Sequence, residues 1–357
     1  MKNNPFLTSF GNASDEAYIN RYSEEDIIIN DFNRELSSSQ VYMLAGVRGI
    51  GKTALTTYIT EKIIKDSKEW KVVNLSSQSN LLKTLAANLQ ADPLLGKVFI
   101  EKKLDFSLLG IGVSIEGGNK ISDEEVMIRQ MLKVMKGIKK KLLVTVDEVG
   151  NTENIRKFTS SFQLYTRERL PIYLIMTGLY KDIKSLQTHK NMTFLKRAPR
   201  INLGPLDLNM ISKRYSSIFN ISFEEAAKMA KLTKGYSYAY SLLGNIFWEK
   251  RDSMSLDDMI IQLKDILEDR VYSQVWDELT EVEKEFIKAM NNCLGDDSQK
   301  AKVSDIIQQL QKAPAQINEY KVRLVETGII DNSERGYLRY SLPYFSETVN
   351  RLTVFDL

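Results

Sequence analysis

The sequence predicts an α/β fold, a parallel β-sheet with helices on both faces, followed by an all-helical domain and a small C-terminal domain. Three observations predict it. Through the first two hundred residues, apolar runs of strand length alternate with amphipathic helical segments, the pattern of β-α-β units. From residue 207 to 276 the pattern is purely helical. Beyond it, three helical segments precede a hairpin around Arg335 and Gly336.

Hydrophobic periodicity divides the α/β part into its elements. The predicted strands are 41–45, 71–75, 142–146 and 171–177, and the predicted helices are 52–66, about 79–100, 122–138 and 153–168. Residues 103–116 interrupt this pattern, because apolar residues alternate there with small or polar ones around Gly110 and Gly112. They predict two short antiparallel strands. This insertion is either structural decoration or a loop that contacts a partner or DNA.

Local capping patterns define the later helices. Residues 222–225 have the sequence of a capping box, and Gly235 is suited to end the helix that starts there. Helices are also predicted at 280–292, 303–311 and 314–327, after which Gly328 leads into the hairpin. Three helices and a β-hairpin predict a winged helix. The predicted domains are therefore 1–205 (α/β), 206–276 (a helical lid) and 277–357 (winged helix).

Composition excludes several classes of protein. A chain of 357 residues is expected to form two or three domains, and 43% hydrophobic with 27% charged residues is typical of a soluble globular protein. The net charge of +3 favours no class of partner. A single cysteine, Cys293, excludes an internal disulfide and fits a reducing compartment. The longest apolar runs are far too short to span a membrane, so we expect a cytoplasmic protein without a membrane partner.

The clearest functional motif matches G-x-x-x-x-G-K-[ST], the P-loop, between a predicted strand and a predicted helix. Its residues are Gly46, Val47, Arg48, Gly49, Ile50, Gly51, Lys52 and Thr53, followed by Ala54. Glycines let the backbone curl so that successive N–H groups face a β-phosphate, and the start of the next helix adds positive potential. Lys52 would reach the β- and γ-phosphates, and the Thr53 hydroxyl would ligate Mg²⁺. The motif predicts ATP or ADP with Mg²⁺ as cofactors.

Two carboxylates follow the predicted strand 142–146. Asp147 stands where the magnesium site needs an acid, and Glu148 is the candidate general base that orients the attacking water. The predicted strand 171–177 ends at Thr177, where P-loop ATPases place a polar side chain between the acids and the γ-phosphate. Thr177 is the candidate for that sensor; the alternative is a simple strand-to-loop turn at Thr177 and Gly178. These residues together predict hydrolysis of ATP.

At this point the sequence resembles the AAA+ ATPases, specifically bacterial ATP-binding proteins similar to origin-recognition initiators and to STAND-type signalling ATPases. The resemblance covers nearly the whole chain. Its segments are Asn4-Pro5-Phe6, Phe10-Gly11, Ile19-Asn20-Arg21, the P-loop, Asp147-Glu148, Phe194-Leu195-Lys196-Arg197, Gly204-Pro205-Leu206, Gly235-Tyr236-Ser237, residues 324–330 and Leu342-Pro343-Tyr344.

The resemblance implies roles for residues outside the P-loop. Ile19 and Arg21 match the stretch that lines the adenine pocket, although Asn20 stands where the family usually has glycine. Arg197, and less well Arg200, matches the arginine finger that reaches a neighbouring subunit's γ-phosphate. The alternative is that both belong to a solvated basic face, since residues 181–200 are rich in lysine and arginine.

The predicted lid departs from the initiator pattern. Initiators carry an arginine just after the lid glycine, whereas no basic residue follows Gly235 before Lys250 here. The lid is therefore more similar to that of signalling ATPases, and it would sense nucleotide through packing at Tyr236. This predicts slow turnover. The neighbouring tyrosines are interpreted as lid core, with a base-stacking platform as the alternative.

Three functions compete on sequence grounds. The first is a nucleotide-dependent switch that self-associates and binds DNA, through residues such as Gln316, Lys321 and Arg323 or through the basic segment 181–200. The second is a STAND-like signalling or defence ATPase whose winged helix binds protein. Residues 277–357 contain ten Lys/Arg and fourteen Asp/Glu, a net charge of −4. This negative charge favours the second function, because DNA affinity depends mainly on contacts between cations and phosphates. The third, ADP held only as a structural ligand, is disfavoured because the hydrolytic residues are intact.

Overall fold

The structure is a computed structural model that describes residues 3–7, 14–102, 104, 123–190, 192, 194–295 and 300–354. The described residues form two compact units, which we treat separately. One comprises Arg21–Ala45 and Leu55–Asn202; the other comprises Gly46–Ala54, Leu203–Leu357 and the N-terminal residues up to Asn20. The predicted hairpin at 103–116 lies outside the described residues except for Leu104, and so does the Phe10-Gly11 segment.

The first unit is built on a five-stranded sheet in which all the pairings are parallel. The strands are β1 (Val41–Ala45), β2 (Trp70–Ser76), β3 (Lys141–Asp147), β4 (Ile172–Gly178) and β5 (Arg200–Asn202), in the order β2-β3-β4-β1-β5. β1 and β4 are buried throughout, which explains their continuous apolar sequences. The predicted parallel sheet and four of its strands are confirmed; β5 was not predicted.

Seven α-helices precede or follow the strands of this sheet in the described part of the chain. They are α1 (Tyr22–Asn33), α2 (Lys52–Asp66), α3 (Leu81–Ala91), α4 (Pro93–Glu101), α5 (Glu124–Gly137), α6 (Glu153–Arg167) and α7 (Tyr180–Thr188). The helical stretch predicted at 79–100 divides because the Asp92 carboxylate accepts hydrogen bonds from the N–H groups of Leu94 and Leu95, and Pro93 starts the new helix. The apolar faces of α3, α5 and α6 pack with the sheet in one continuous core.

The pairing of residues between neighbouring strands places the carboxyl ends of β1, β3 and β4 at one edge of this sheet. Ala45, the last residue of β1, is opposite Gly178 at the end of β4, and Val146 of β3 is opposite Met176 of β4. The carboxyl ends of β1, β3 and β4 therefore coincide. In open parallel sheets this is the edge where ligands bind.

The second unit contains the remaining elements. Its helices are α8 (Leu208–Phe219), α9 (Phe223–Leu232), α10 (Ser237–Lys250), α11 (Leu256–Leu267), α12 (Ser273–Asp277), α13 (Glu281–Asn292), α14 (Val303–Leu310), α15 (Pro314–Glu326) and α16 (Phe345–Val354). A π-helical turn, Glu268–Tyr272, separates α11 from α12. Strands β6 (Lys300–Lys302), β7 (Ile330–Asp331) and β8 (Tyr337–Tyr340) form an antiparallel sheet in the order β6-β8-β7. We refer to residues 277–354 as the C-terminal module.

Caps account for where these helices begin. The Ser222 hydroxyl accepts the N–H of Glu225, as the capping-box pattern predicts, and Thr280 with Glu283 forms a complete capping box at the start of α13. The predicted helical character of residues 207–276 is confirmed, and the helices predicted at 280–292, 303–311 and 314–327 are confirmed within a residue or two. β6 and α16 were not predicted.

The N-terminal segment belongs to this second unit through Phe6, which is fully buried. Its ring packs against Tyr215, Phe219 and Tyr240, with centroids 5.3–5.8 Å apart. Gly244 makes room for it, because a Cβ atom at that position would collide with the Phe6 ring. Tyr236, Tyr238 and Tyr240 are also buried, in agreement with the lid-core interpretation of this tyrosine-rich stretch. No described helix combines the length and apolarity needed to cross a membrane.

Candidate nucleotide-binding site

The loop Gly46–Ala54 leaves β1 at its carboxyl end and runs into the first turn of α2. Gly49 and Gly51 have φ values of 71° and 99°, in the region that favours glycine. A side chain at Gly49 would also collide with the Tyr236 hydroxyl, and one at Gly51 would come within 3.0 Å of the Ser237 hydroxyl. Gly49 and Gly51 are therefore both required by backbone conformation and by close approach.

Positive charge is concentrated at this loop. The Lys52 ammonium donates hydrogen bonds to the carbonyl oxygens of Gly46 (2.9 Å) and Val47 (3.0 Å), so it lies against the beginning of the loop. The first turn of α2 contains no acidic residue, so nothing there offsets the positive end of the helix. Thr53, in the same turn, is half-buried. This arrangement suits an anion.

Residues at the start of α10 hold the loop through its carbonyl groups. The Tyr236 hydroxyl donates to the Arg48 carbonyl at 2.6 Å, and the Tyr238 N–H donates to the Gly49 carbonyl at 3.0 Å. Burial raises the pKa of the Tyr236 phenol well above its ordinary value, so the hydroxyl remains a donor across the physiological range. These two bonds hold the loop in its conformation from the side of its carbonyl groups.

The two predicted acids and Thr177 come together at the carboxyl ends of β3 and β4. The Thr177 hydroxyl donates to an Asp147 carboxylate oxygen, and the Glu148 N–H donates to the same oxygen at 3.0 Å. The Val149 N–H donates to the Thr177 carbonyl at 2.8 Å. These bonds fix the orientation of the Asp147 carboxylate.

Glu148 has an unusual backbone for an exposed glutamate. Its φ is 52°, in the left-handed region that non-glycine residues seldom adopt and that costs roughly 1 kcal/mol or more. The bonds of Asp147, Thr177 and Val149 on either side of it hold this conformation. Strain of this kind that is maintained by its neighbours is frequent at catalytic positions.

The other predicted site residues are placed as follows. Ile19 and Arg21 are both buried, and the Arg21 N–H donates to the Glu25 carboxylate at the start of α1; their role at an adenine pocket stays a prediction. Arg197 ends a 3₁₀ turn, Leu195–Arg197, with its side chain exposed. Arg200 is the first residue of β5, and its guanidinium stacks on the Tyr180 ring at 4.6 Å. The arginine-finger role of Arg197, and of Arg200, stays a prediction.

Two solved structures are similar to this chain over almost its entire length. A Walker-type ATPase of Pyrococcus abyssi superposes with a TM-score of 0.64 at 13% identity, covering 94% of this chain and 97% of that one. The Aeropyrum pernix ORC2 protein, solved as ADPNP and ADP complexes, superposes with a TM-score of 0.57 at 14% identity, covering 96% and 97%. The chain therefore has the fold of these two proteins.

Sequence comparison adds one match within this fold. The model of a domain of unknown function, DUF8462, matches residues 269–349, which are most of the C-terminal module together with the π-helical turn before it. No curated protein matches the chain. The assignment of the fold therefore rests on the similarity to the two solved structures.

Sequence reasoning missed one contact of the predicted site residues. The Arg48 guanidinium pairs with the Glu278 carboxylate, with both Nε and a terminal nitrogen 2.8 Å from one carboxylate oxygen. Arg48 occupies a position that the P-loop motif leaves unspecified, and Glu278 lies 230 residues further on. No local pattern in the sequence could have linked them.

Proposed function

We propose that this protein binds ATP with Mg²⁺ and hydrolyses it slowly, as a nucleotide-dependent conformational and assembly switch. The observation that carries the proposal is the loop Gly46–Ala54. Its glycines at positive φ, the Lys52 ammonium and the acid-free start of α2 together form a site for a chain of phosphates. The Aeropyrum pernix ORC2 protein, with the same fold, was solved with ADPNP and ADP, which supports nucleotide as the ligand.

Each site residue has a defined part in the proposed reaction. The loop N–H groups and Lys52 hold the β- and γ-phosphates, and Lys52 neutralises the charge that develops on them. Thr53 and Asp147 have the oxygen ligands that Mg²⁺ prefers, and the metal would supply further charge neutralisation. Glu148 accepts the proton of the attacking water as the water oxygen bonds to the γ-phosphorus and ADP leaves. Thr177 holds Asp147 in place and is the proposed sensor.

The direct test of this proposal is titration of the full chain with ATP, ADP and a non-hydrolysable analogue in the presence of Mg²⁺, followed by measurement of phosphate release. We expect tight binding and low turnover, because the lid supplies no arginine after Gly235. Absence of binding for all three nucleotides would contradict the proposal.

Arg197 is expected to act in a neighbouring subunit. Arg197→Ala should lower turnover by about 10³-fold or more at concentrations at which subunits associate, since a finger neutralises transition-state charge in trans. Lys196→Ala is the matched control, because Lys196 is an equally exposed cation in the same turn. Turnover is measured across a dilution series with the association state followed by light scattering. An equal loss in the dilute monomer would show that Arg197 is not a finger.

The partner of the switch is set by the C-terminal module, which we propose to be a winged helix. At least six of its ten basic residues are engaged in ion pairs with acidic residues of the same unit. These pairs are Lys284–Glu281, Lys300–Glu334, Lys312–Glu285, Arg323–Glu319, Arg339–Asp331 and Arg351–Glu268. Phosphate contacts by unpaired cations dominate DNA affinity, so this module is poorly suited to DNA. The observation favours the second candidate function, a signalling ATPase whose module binds protein.

Any DNA association is expected to come from the basic segment 181–200. Duplex DNA should bind weakly, with an affinity that falls steeply as salt rises. The double variant Lys190→Ala and Lys196→Ala should reduce the slope of log affinity against log salt by about two. The matched control, Lys321→Ala with Arg335→Ala in the C-terminal module, should leave it unchanged. Mobility shifts over a salt series, with and without ATP, measure the affinity for duplex DNA and its dependence on salt. No binding at low salt would exclude the DNA-associated switch and leave a protein partner.

A further inference from the structure

The P-loop is connected to the C-terminal module through Arg48. Its carbonyl accepts the Tyr236 hydroxyl, and its guanidinium pairs with Glu278. Glu278 lies at the C-terminal end of α12, two residues before Thr280, which caps α13. One residue of the loop therefore bonds to the lid through its backbone and to the junction between lid and module through its side chain.

A buried aromatic path runs from the same point. The Tyr236 ring lies 6.3 Å from the ring of Tyr272, the last residue of the π-helical turn. Tyr272 packs edge-on against Phe345 of α16 at 5.3 Å and donates its hydroxyl to the Pro343 carbonyl. Phe345 in turn packs against Tyr340 of β8 at 5.6 Å. All of these rings are buried, so a movement at Tyr236 has to displace its neighbours.

The contacts from Tyr236 and Tyr238 are made to the carbonyl groups of the predicted phosphate-binding loop. In a P-loop the N–H groups turn toward the phosphates, so the carbonyls of the same peptides are held by other groups. Here the carbonyls of Arg48 and Gly49 are held by Tyr236 and Tyr238. Any rearrangement of the loop on binding or release of phosphate changes these bonds, and with them the position of Arg48 relative to Glu278.

We propose that Arg48 and Tyr236 are positioning residues that couple phosphate binding at the P-loop to the C-terminal module through Glu278 and the Tyr236–Tyr272–Phe345 path. The proposal rests on the nucleotide function above and states how it is regulated. Coupling of this kind is reciprocal: nucleotide alters the module, and a partner bound to the module alters nucleotide affinity by the same factor. The partner that binds the module would thereby control the affinity for the nucleotide.

Neutralising Glu278 isolates the coupling, because Glu278 lies outside the P-loop. Glu278→Gln should change the affinity for ADP by about three- to tenfold, as expected for loss of a partly exposed ion pair that restrains the loop. Glu281→Gln is the matched control, because Glu281 is a neighbouring glutamate that pairs only with Lys284 among the ion pairs seen in the described residues. Calorimetry gives the affinity. Equal affinities for the two variants would overturn the proposal.

Two further variants separate coupling from simple destabilisation. The charge exchange Arg48→Glu with Glu278→Arg should restore much of the affinity that either change removes alone. Tyr236→Phe keeps the ring but removes the donor to the Arg48 carbonyl, and should weaken ADP binding by about tenfold, the size of effect expected for one buried hydrogen bond. Failure of the exchange to restore binding, together with unchanged binding by Tyr236→Phe, would contradict the coupling.

Amide hydrogen exchange distinguishes the failure of this proposal from the failure of the nucleotide function. With ADP, residues 277–295 of the wild type should gain protection, and Glu278→Gln should lose that gain. Without nucleotide, Glu278→Gln should lower protection of residues 47–54 relative to Glu281→Gln. If Glu278→Gln lowers the protection of residues 47–54 but the protein binds no nucleotide, the connection between Glu278 and the loop is supported and the proposed function fails. If nucleotide binds and neither effect appears, the coupling is wrong.

Discussion

Replacement of Lys52 by alanine is expected to abolish measurable nucleotide binding. The Lys52 ammonium already lies against the loop, where it donates to the carbonyls of Gly46 and Val47. With nucleotide present, it would exchange these acceptors for phosphate oxygens. Hydrogen bonds to charged groups contribute about 1.5–3 kcal/mol each, so losing two of them lowers affinity by roughly 10²- to 10⁴-fold.

Calorimetric titration with ADP and a non-hydrolysable ATP analogue measures this effect. Lys65→Ala is the matched control, because Lys65 is an exposed lysine in the last turn of the same helix, α2. Thermal unfolding of both variants shows whether loss of the loop's own hydrogen bonds has destabilised the protein. Unchanged affinity in Lys52→Ala would remove the P-loop assignment and, with it, the proposed function.

The parts of this site that could be predicted are those that phosphate chemistry fixes locally. Gly51 has positive φ and Lys52 follows it directly, as the motif requires, so the loop can be recognised from eight consecutive residues. Asp147 could be predicted for a similar reason, since a continuous apolar strand ending in an acid is a local pattern. The contact between Thr177 and Asp147 agrees with the role predicted for Thr177, although its function as a sensor stays a prediction.

Parts of the fold had no local pattern to predict them. β5 has three residues and forms because Arg200, Ile201 and Asn202 pair with Met43, Leu44 and Ala45, far earlier in the chain. By contrast, the break between α3 and α4 could have been found, because Asp92 followed by Pro93 is a helix-start sequence.

Long-range polar contacts are the least predictable. The Arg48–Glu278 pair joins an unspecified loop position to an ordinary glutamate, and only the packing of the second unit brings them together. Tyr236 was predicted to sense nucleotide by packing. The structure adds that its hydroxyl bonds to the loop itself, a detail that depends on the close approach at Gly49.

Glu148→Gln is expected to bind ATP with almost unchanged affinity and to hydrolyse it about 10²- to 10⁴-fold more slowly, the contribution of a general base. Glutamine has the same shape and can adopt the same backbone, whose N–H bonds to Asp147 and Thr177 are independent of the side chain. The substitution therefore removes proton acceptance while leaving the carboxylate of Asp147 in place.

Single-turnover hydrolysis of radiolabelled ATP, together with filter binding, separates the two steps. Glu153→Gln is the matched control, because Glu153 is an exposed glutamate at the start of α6, five residues beyond Glu148. If turnover persists in Glu148→Gln, another group activates the water. If binding is lost together with turnover, Glu148 supports the site rather than the chemistry. Retained binding with trapped ATP is the outcome that makes Glu148 the base, and it would also give a stable ATP-bound form of the switch in which to measure coupling to the C-terminal module.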